Sequence, residues 1–443
     1  MAQRLSGGSL QAKRTPMQGN IYDEFEWRGL LYDATPDLKD LLATERVTAY
    51  IGFDPTAASL HVGSLLPIMG LARMQRFGHT PIALVGGGTG LIGDPSGKTA
   101  ERQLLTKEKV AENIEGIRAQ LSHFLDFERA GNPARIENNH DWLGSLQLID
   151  FLRDTGKHFT VNYMLSKESV KRRIESEDGI SYTEFTYMML QAYDFLELNR
   201  RADCLLQMGG SDQWGNILAG TDLIRRVNGK RAHGLVFPLV TNASGTKFGK
   251  TEAGNVWLDP ELTSPYKFYQ FWLNTDDRDV VHYLKSFTWL DRAAIEGLEQ
   301  SVADNPGARE AQRTLAREVT TMLHGQSELD KAEQAAKVLF GGALDNLSVK
   351  DLADIFEDVP STIIPRGDLS GEGLGVLELC TRTGITASNG EARRLIRQGG
   401  LFVNNDRYSD ESGRITTELG IEGELLVLRK GKKSYHLVQI GQD

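Results

Sequence analysis

One stretch of about forty residues restricts this chain to a narrow set of folds. Val47-Thr48-Ala49-Tyr50-Ile51-Gly52-Phe53 has the β-branched and aromatic content of a strand, Leu65 to Phe77 has helical spacing, and Pro81-Ile82-Ala83-Leu84-Val85 is a second strand-like run. Strand, helix and strand in that order form a βαβ unit, which requires a parallel sheet and places ligands at the carboxyl ends of its strands. Between the first strand and the helix lies His61-Val62-Gly63-Ser64. Backbone N–H groups at a helix start have no intrahelical partner, so this turn suits a phosphate.

About half the chain later comes Lys247-Phe248-Gly249-Lys250-Thr251, a small polar loop with two lysines three residues apart. Two such charges can stabilise polyphosphate charge that develops in a transition state. Alone, the first segment is more often a helix cap and the second a solvated loop. Together and in this order they point to adenylate-forming chemistry on ATP.

Two other glycine-rich patterns mislead. Gly88-Thr89-Gly90-Leu91-Ile92-Gly93 follows a strand as a dinucleotide-binding turn would, but the chain has a charged helix around Glu112 and Glu115 where a ribose-binding acid should end a second strand. Gly93-Asp94-Pro95-Ser96-Gly97-Lys98-Thr99 is one residue too short for a phosphate-binding P-loop, and its proline removes a needed N–H. A better expectation is a loop that brings backbone close to a small ligand, with Asp94 as a fixed carboxylate.

Further along, Ile21 to Glu45 reads as two short helices, and Glu101 to Phe127 and Ser145 to Arg153 read as helical. Thr183 to Leu198 is a long helix on which Tyr187, Gln191 and Asp194 share one polar stripe at i, i+4 and i+7. Cys204-Leu205-Leu206-Gln207-Met208 is a strand ending in Gly209-Gly210, and Ser264 to about Leu347 is helical and strand-poor. Val359 to Gly375 has the prolines and glycines of a linker. Beyond it a helix carries Arg393, Arg394 and Arg397, followed by Gly399-Gly400 and the strand Leu401-Phe402-Val403-Asn404.

The two signatures resemble those of class I aminoacyl-tRNA synthetases, and the strand end Gly52-Phe53-Asp54-Pro55-Thr56-Ala57 with Gln207 to Asn216 narrows the likeness to bacterial-type tyrosyl-tRNA synthetases over nearly the whole chain. The resemblance implies an α/β fold: a Rossmann-like parallel-sheet catalytic domain, then an α-helical domain and a small α+β S4-like RNA-binding domain. The expected boundaries are an extension over 1–20, the catalytic domain over 21–245, the lysine loop and helical domain over 246–347, a linker over 348–373, and the S4-like domain over 374–443.

It also implies roles. Tyr187, Gln191 and Asp194 with Asp94 would hold the tyrosine ammonium group, and Tyr50 with Asp212 would reach its phenol. Asp54 would lie beside amino acid and ATP, Gly210 and Gln213 would position the adenylate, and Gly52 and Gly63 would let backbone approach the nucleotide. Thr56 and His61 would contact the leaving pyrophosphate, with Lys247, Lys250 and Thr251 joining them. Ser64 stands where the wider class has a second histidine, and its hydroxyl can bond a ribose oxygen. Arg393, Arg394 and Arg397 would neutralise tRNA phosphates without reading bases. The implied reaction turns tyrosine and ATP into tyrosyl-adenylate, then passes the tyrosyl group to the terminal adenosine of tRNA. Magnesium would accompany ATP, with no dedicated protein metal site, and the enzyme would be a homodimer.

Composition fits. At 443 residues the chain has room for two to four domains, and no apolar run reaches the eighteen or so residues of a membrane helix. A net charge of −10 argues against indiscriminate coating of nucleic acid, yet the segment from Leu374 onward has ten Lys+Arg against nine Asp+Glu. Cys204 and Cys380 are too few and too far apart for a disulfide framework or thiolate metal site, which suits a reducing cytoplasm. Arg4, Lys13 and Arg14 without acids loosely suggest a transit peptide, though the pattern is not amphipathic and a disordered extension is expected. Two alternatives stay open at this point: a tryptophanyl-tRNA synthetase, and an RNA-binding protein built on a synthetase scaffold.

Overall fold

The computed structural model describes residues 17–94, 105–175, 179–243, 248–251, 254–338, 344, 347–357, 359–431 and 434–441. It divides into two compact units, Met1–Leu262 with Trp272–Leu323, and Thr263–Phe271 with His324–Asp443. Much of the helical stretch expected as its own domain over 246–347 therefore packs in the unit that holds the large sheet.

That sheet has six strands: β1 (Asp33–Ala34), β2 (Thr48–Phe53), β3 (Thr80–Val85), β4 (Arg135–Asn138), β5 (Cys204–Gly210) and β6 (His233–Phe237). They lie in the order β1-β6-β5-β2-β3-β4. All pairs are parallel except β1 with β6. From β2 the chain winds outward through β3 to β4, and from β5 it winds the other way to β6. The β2/β5 boundary is thus a topological switch point, where the connections diverge and leave a crevice.

Apolar runs account for the central strands: Ala49, Ile82, Ala83, Val85 and Leu206 are fully buried. Helix α1 (Leu65–Arg76) packs on β3 and β2, burying Leu65, Ile68, Met69 and Leu71 completely. Each such side chain contributes about 1.5–3 kcal/mol of apolar burial. Helix α2 (Tyr182–Ala202) starts at Ser181, whose hydroxyl accepts from the Glu184 N–H, and packs along α3 (Trp214–Asn228). The turn between β2 and α1 is fixed from outside by the helix Lys107–Leu121. Asn113 Nδ2 donates to the Pro55 carbonyl at 2.8 Å, and Gln120 Oε1 accepts from the Leu60 N–H at 2.8 Å. Gly116 of that helix lies so close to Ala58 that a Cβ would strike the Ala58 carbonyl.

In the second unit, a five-stranded sheet runs Asp406–Arg407, Leu401–Val403, Leu425–Lys430, Ser434–Gly441, Ser361–Pro365. This corrects the expected linker over 348–373. Val349–Ile355 is a helix begun by a capping box of Ser348 and Asp351, and Ser361–Pro365 pairs in parallel with the last strand. Pro360 precedes the strand and Pro365 ends it, neither interrupting the middle of its ladder, so the prolines that suggest a linker are compatible with an edge. Leu352, Ile355 and Phe356 share a buried cluster with Val427, Tyr435 and Leu437. The expected extension lies mostly outside the described residues; Asn20 caps the helix Ile21–Trp27.

Candidate active site

At the switch point opens a cleft of about 610 Å³. Its walls come from the ends of β2 and β5, the turn after β3, the inner face of α2 and the segment after β6. The expected Tyr50, Gly52, Asp54, His61, Gly63, Ser64, Asp94, Tyr187, Gln191, Asp194, Gly210, Asp212 and Gln213 all line it. Thr56 does not: it is exposed on the strap beyond β2 and its N–H is turned back to the Asp54 carbonyl.

The two signatures meet through the backbone. Val62 N–H donates to the Val256 carbonyl at 2.9 Å, Leu258 N–H to the Leu60 carbonyl at 2.9 Å, and Val256 N–H to the Gly249 carbonyl at 3.1 Å. His61 and Trp257 form an antiparallel bridge, with their rings edge to face. Gly249 has φ +82°, open to glycine, and a Cβ there would approach Val62 to 2.7 Å. His61 Nδ1 accepts from the Gly63 N–H at 3.0 Å. With Nδ1 an acceptor, the neutral tautomer carries its proton on Nε2, a donor of the kind a phosphate oxygen accepts. Lys247 lies outside the described residues, and of Lys250 and Thr251 only the backbone, a two-residue strand, is described.

Polar groups on the α2 side form a ring. Gln213 Nε2 donates to Asp94 Oδ2 at 2.7 Å, Gln191 Nε2 to Gln213 Oε1 at 3.2 Å, Asn216 Nδ2 to Gln191 Oε1 at 3.0 Å, and the Tyr187 hydroxyl to Asp54 Oδ1 at 3.4 Å. Burial first, then the charges of Asp54 and Asp94, hold the Tyr187 phenol well above its usual range, so it stays a neutral donor. Two carboxylates, Asp54 and Asp94, with amide and phenol donors between them suit a small ammonium-bearing ligand.

The geometry sets Tyr50 beside a carboxylate other than the expected Asp212. Asp212 is exposed at the rim, whereas the carboxylate associated with Tyr50 is Asp194, 2% exposed beside a Tyr50 that is 1% exposed. The Tyr50 hydroxyl is buried with no hydrogen-bond partner among the described residues. Asp194 is fixed at both oxygens: Trp142 Nε1 donates to Oδ1 at 2.7 Å and Asn139 Nδ2 to Oδ2 at 2.9 Å. Asn139 is itself tied to the β3 turn, its Oδ1 accepting from Gly88 N–H at 2.7 Å. Burial pushes Asp194 up to about 7 against the lowering effect of those two donors. The helical stripe therefore splits: Tyr187 and Gln191 belong to the outer polar ring, and Asp194, one turn deeper, belongs to the floor. Sequence reasoning missed Asn139 and Trp142, which lie in no recognisable motif. The run Gly88–Gly93 forms only a short turn of 3-10 helix over Thr89–Leu91, without the long helix a dinucleotide site needs at this point.

Known proteins agree with this architecture. The family model of tRNA synthetases class I (W and Y) matches residues 42–341, and that of the tyrosine–tRNA ligase SYY-like C-terminal domain matches 351–438. The chain is 60% identical over 420 residues to a tyrosine–tRNA ligase of Roseiflexus castenholzii, covering 95% of this chain and 99% of that one. It is 54% identical over 423 residues to the tyrosine–tRNA ligase of Geobacillus stearothermophilus, with 95% and 99% covered. A solved structure of a C-terminally truncated Aspergillus nidulans mitochondrial tyrosyl-tRNA synthetase superimposes with a TM-score of 0.67 at 30% identity, over 75% of this chain and 99% of that one.

Proposed function

Because the chain belongs to the class I tRNA synthetases of the tryptophan and tyrosine branch and is a tyrosine–tRNA ligase, we propose that the cleft between β2 and β5 binds tyrosine phenol-first, with its hydroxyl between Tyr50 and Asp194. The buried, doubly anchored Asp194 carboxylate carries this reading. The ammonium group then meets Asp94, Tyr187 and Gln191, and the carboxylate points toward the signature end of the cleft. There it attacks the α-phosphorus of ATP, the bond to the β-phosphate breaks, and pyrophosphate leaves. His61, through Nε2–H, and Lys247, Lys250 and Thr251 stabilise the departing charge; Thr56 is not needed at the cleft wall. Gly52, Asp54, Gly63, Ser64, Gly210, Asp212 and Gln213 are assigned to the nucleotide side, the exposure of Asp212 favouring that role over the phenol. No side chain forms a covalent intermediate: positioning and preorganised charge do the work. Magnesium arrives with ATP, and among the described residues no group of three or more His, Cys, Asp or Glu is arranged as a metal site.

Asp194 gives this assignment a pH signature. A carboxyl raised by burial adds folding stability that is fully present below the unfolded value near 4 and is lost as pH rises through about 7. The phenol O–H of tyrosine donates to the ionised form, so tyrosine recovers part of that loss. Hence kcat/KM for tyrosine is expected to fall as pH drops below 7, while that for phenylalanine, measured on the same enzyme, stays flatter across this window. Parallel profiles for the two amino acids would remove Asp194 from phenol recognition.

For tRNA, we assign Arg393, Arg394 and Arg397, all exposed on the helix Asn389–Arg397. Arg397 is held by Glu411 through Nε–Oε1 at 2.6 Å and Nη2–Oε2 at 3.1 Å, and Arg393 Nε lies 3.5 Å from the same carboxylate. An exposed ion pair is weak, so phosphates can displace Glu411. Arg393→Ala with Arg397→Ala is expected to weaken tRNA charging and reduce its salt slope by about two, with ATP–pyrophosphate exchange unchanged. Glu411→Gln should strengthen charging by no more than about fivefold. Unchanged salt dependence in the double variant would exclude these arginines.

A homodimer is supported by Leu148, Ile149, Leu152, Val161 and Leu165, exposed apolar residues on two nearby helices of the first unit. A cytoplasmic location suits the buried thiols of Cys204 and Cys380 and the site of translation.

A further inference from the structure

Helix α4 (Asp277–Phe287) holds both shoulders of the lysine loop. Before the loop, Ala243 N–H donates to Asp279 Oδ2 at 2.8 Å, and the Tyr283 hydroxyl donates to the Thr241 carbonyl at 3.4 Å. Within the signature, Phe248 is buried in an aromatic nest. Its ring stacks on Phe287 with centroids 5.3 Å apart and planes 9° from parallel, and it meets Tyr283 at 4.9 Å and Trp272 at 5.7 Å. Tyr283 and Trp272 also contact Phe287, so the nest is a closed cluster with little room to shift. Thr241 and Phe248 line the cleft, which brings this anchorage to the edge of the reaction space.

The surrounding sequence explains why an anchor is needed. Lys247 and Lys250 flank Phe248 on a chain that turns through Gly249 at φ +82°. Lysine side chains have four rotatable bonds and adapt readily, so the accuracy with which their charges meet a phosphate depends on where the backbone is pinned. A large ring in a packed aromatic pocket pins it in a way that a polar residue on a glycine-bearing turn does not.

We propose that Phe248, seated against Tyr283 and Phe287 and supported by the Asp279 bond, is a positioning residue for adenylate formation: it sets the register of the lysine-bearing strand against the His61 turn. The proposal rests on the assignment of Lys250 to the departing pyrophosphate. Phe248 does not touch the reacting atoms. Its loss should lower the rate of the chemical step and leave the amino-acid site alone.

The test uses the full chain and measures adenylate formation in single turnovers at saturating tyrosine and ATP, with tyrosine affinity taken separately by equilibrium binding. For Phe248→Ala the rate is expected to fall by about 30- to 100-fold, the scale of a displacement near 1 Å at a reacting centre, with tyrosine affinity within about twofold of wild type. Phe248→Met, flexible and apolar enough to refill the nest, should recover most of the rate. Phe287→Leu should reproduce a milder form of the defect and add little to Phe248→Ala, because both act through the same contact. If Phe248→Ala proves unstable, Phe287→Leu and Phe248→Met carry the same comparison of rate against affinity. Unchanged rates in folded Phe248→Ala, an equal loss of rate and tyrosine affinity, or full additivity with Phe287→Leu would each overturn the proposal. Lys250→Ala serves as the separate arm: a normal rate there would instead refute the role of the loop itself.

Discussion

Replacing Asp194 by alanine is expected to lower kcat/KM for tyrosine by ~10³-fold while changing that for phenylalanine by less than about tenfold, so that most of the discrimination between them disappears. The two substrates differ by one hydroxyl, and an apolar slot would separate them poorly. A buried carboxylate and a buried phenol that both need a partner separate them well, because phenylalanine leaves both unpaired. Sites that hydrogen-bond a substrate hydroxyl reject the analogue lacking it by ~10⁴–10⁵, a magnitude known from this same enzyme family. Tyr50→Phe removes the neutral partner and should narrow the gap less than the loss of Asp194, since hydrogen bonds to charged groups are the stronger ones. Alanine at 194 also strips Trp142 and Asn139 of an acceptor. Phenylalanine therefore serves as the internal control: a folded variant that loses both substrates equally would show Asp194 acting as scaffold.

Lys250→Ala is expected to slow adenylate formation by ~10²–10³-fold with tyrosine affinity essentially unchanged, and His61→Ala should show the same division between rate and affinity. Both groups would meet charge that grows as pyrophosphate departs, and an interaction stronger in the transition state than in the ground state appears in kcat. Pre-steady-state adenylate formation separates the effects. Collapse of tyrosine affinity with a normal rate at saturation would place these residues in the amino-acid site instead.

Much of this site is legible in the sequence because its parts lie at strand ends and on one helical stripe. The apolar run before Asp54, the glycines ending β5 and the spacing of Tyr187, Gln191 and Asp194 each mark a position beside the crevice. Depth is not legible. Helical spacing puts Asp194 on the same face as Tyr187 but does not say that α2 dips toward the floor there, so Asp194 and Asp212 are readily exchanged until burial is known. Trp142 and Asn139 reach Asp194 only through the winding from β3 to β4, a contact across 50 or more residues that no local pattern carries. The C-terminal strand Ser361–Pro365 is hidden for a different reason. The prolines at its two ends resemble a linker, and its pairing partner lies more than 70 residues later in sequence. His233–Phe237, whose apolar side chains are only Leu235-Val236-Phe237, is equally hard to tell from the core-facing part of a helix until its neighbour β5 is known.

The most direct measurement is amino-acid-dependent ATP–pyrophosphate exchange by the unmodified chain with tyrosine, phenylalanine and tryptophan in parallel. A floor formed by Tyr50 and Asp194 predicts rapid exchange with tyrosine, exchange with phenylalanine lower by ~10⁴-fold or more in kcat/KM, and no measurable exchange with tryptophan. Comparable exchange with phenylalanine, or a preference for tryptophan, would contradict it.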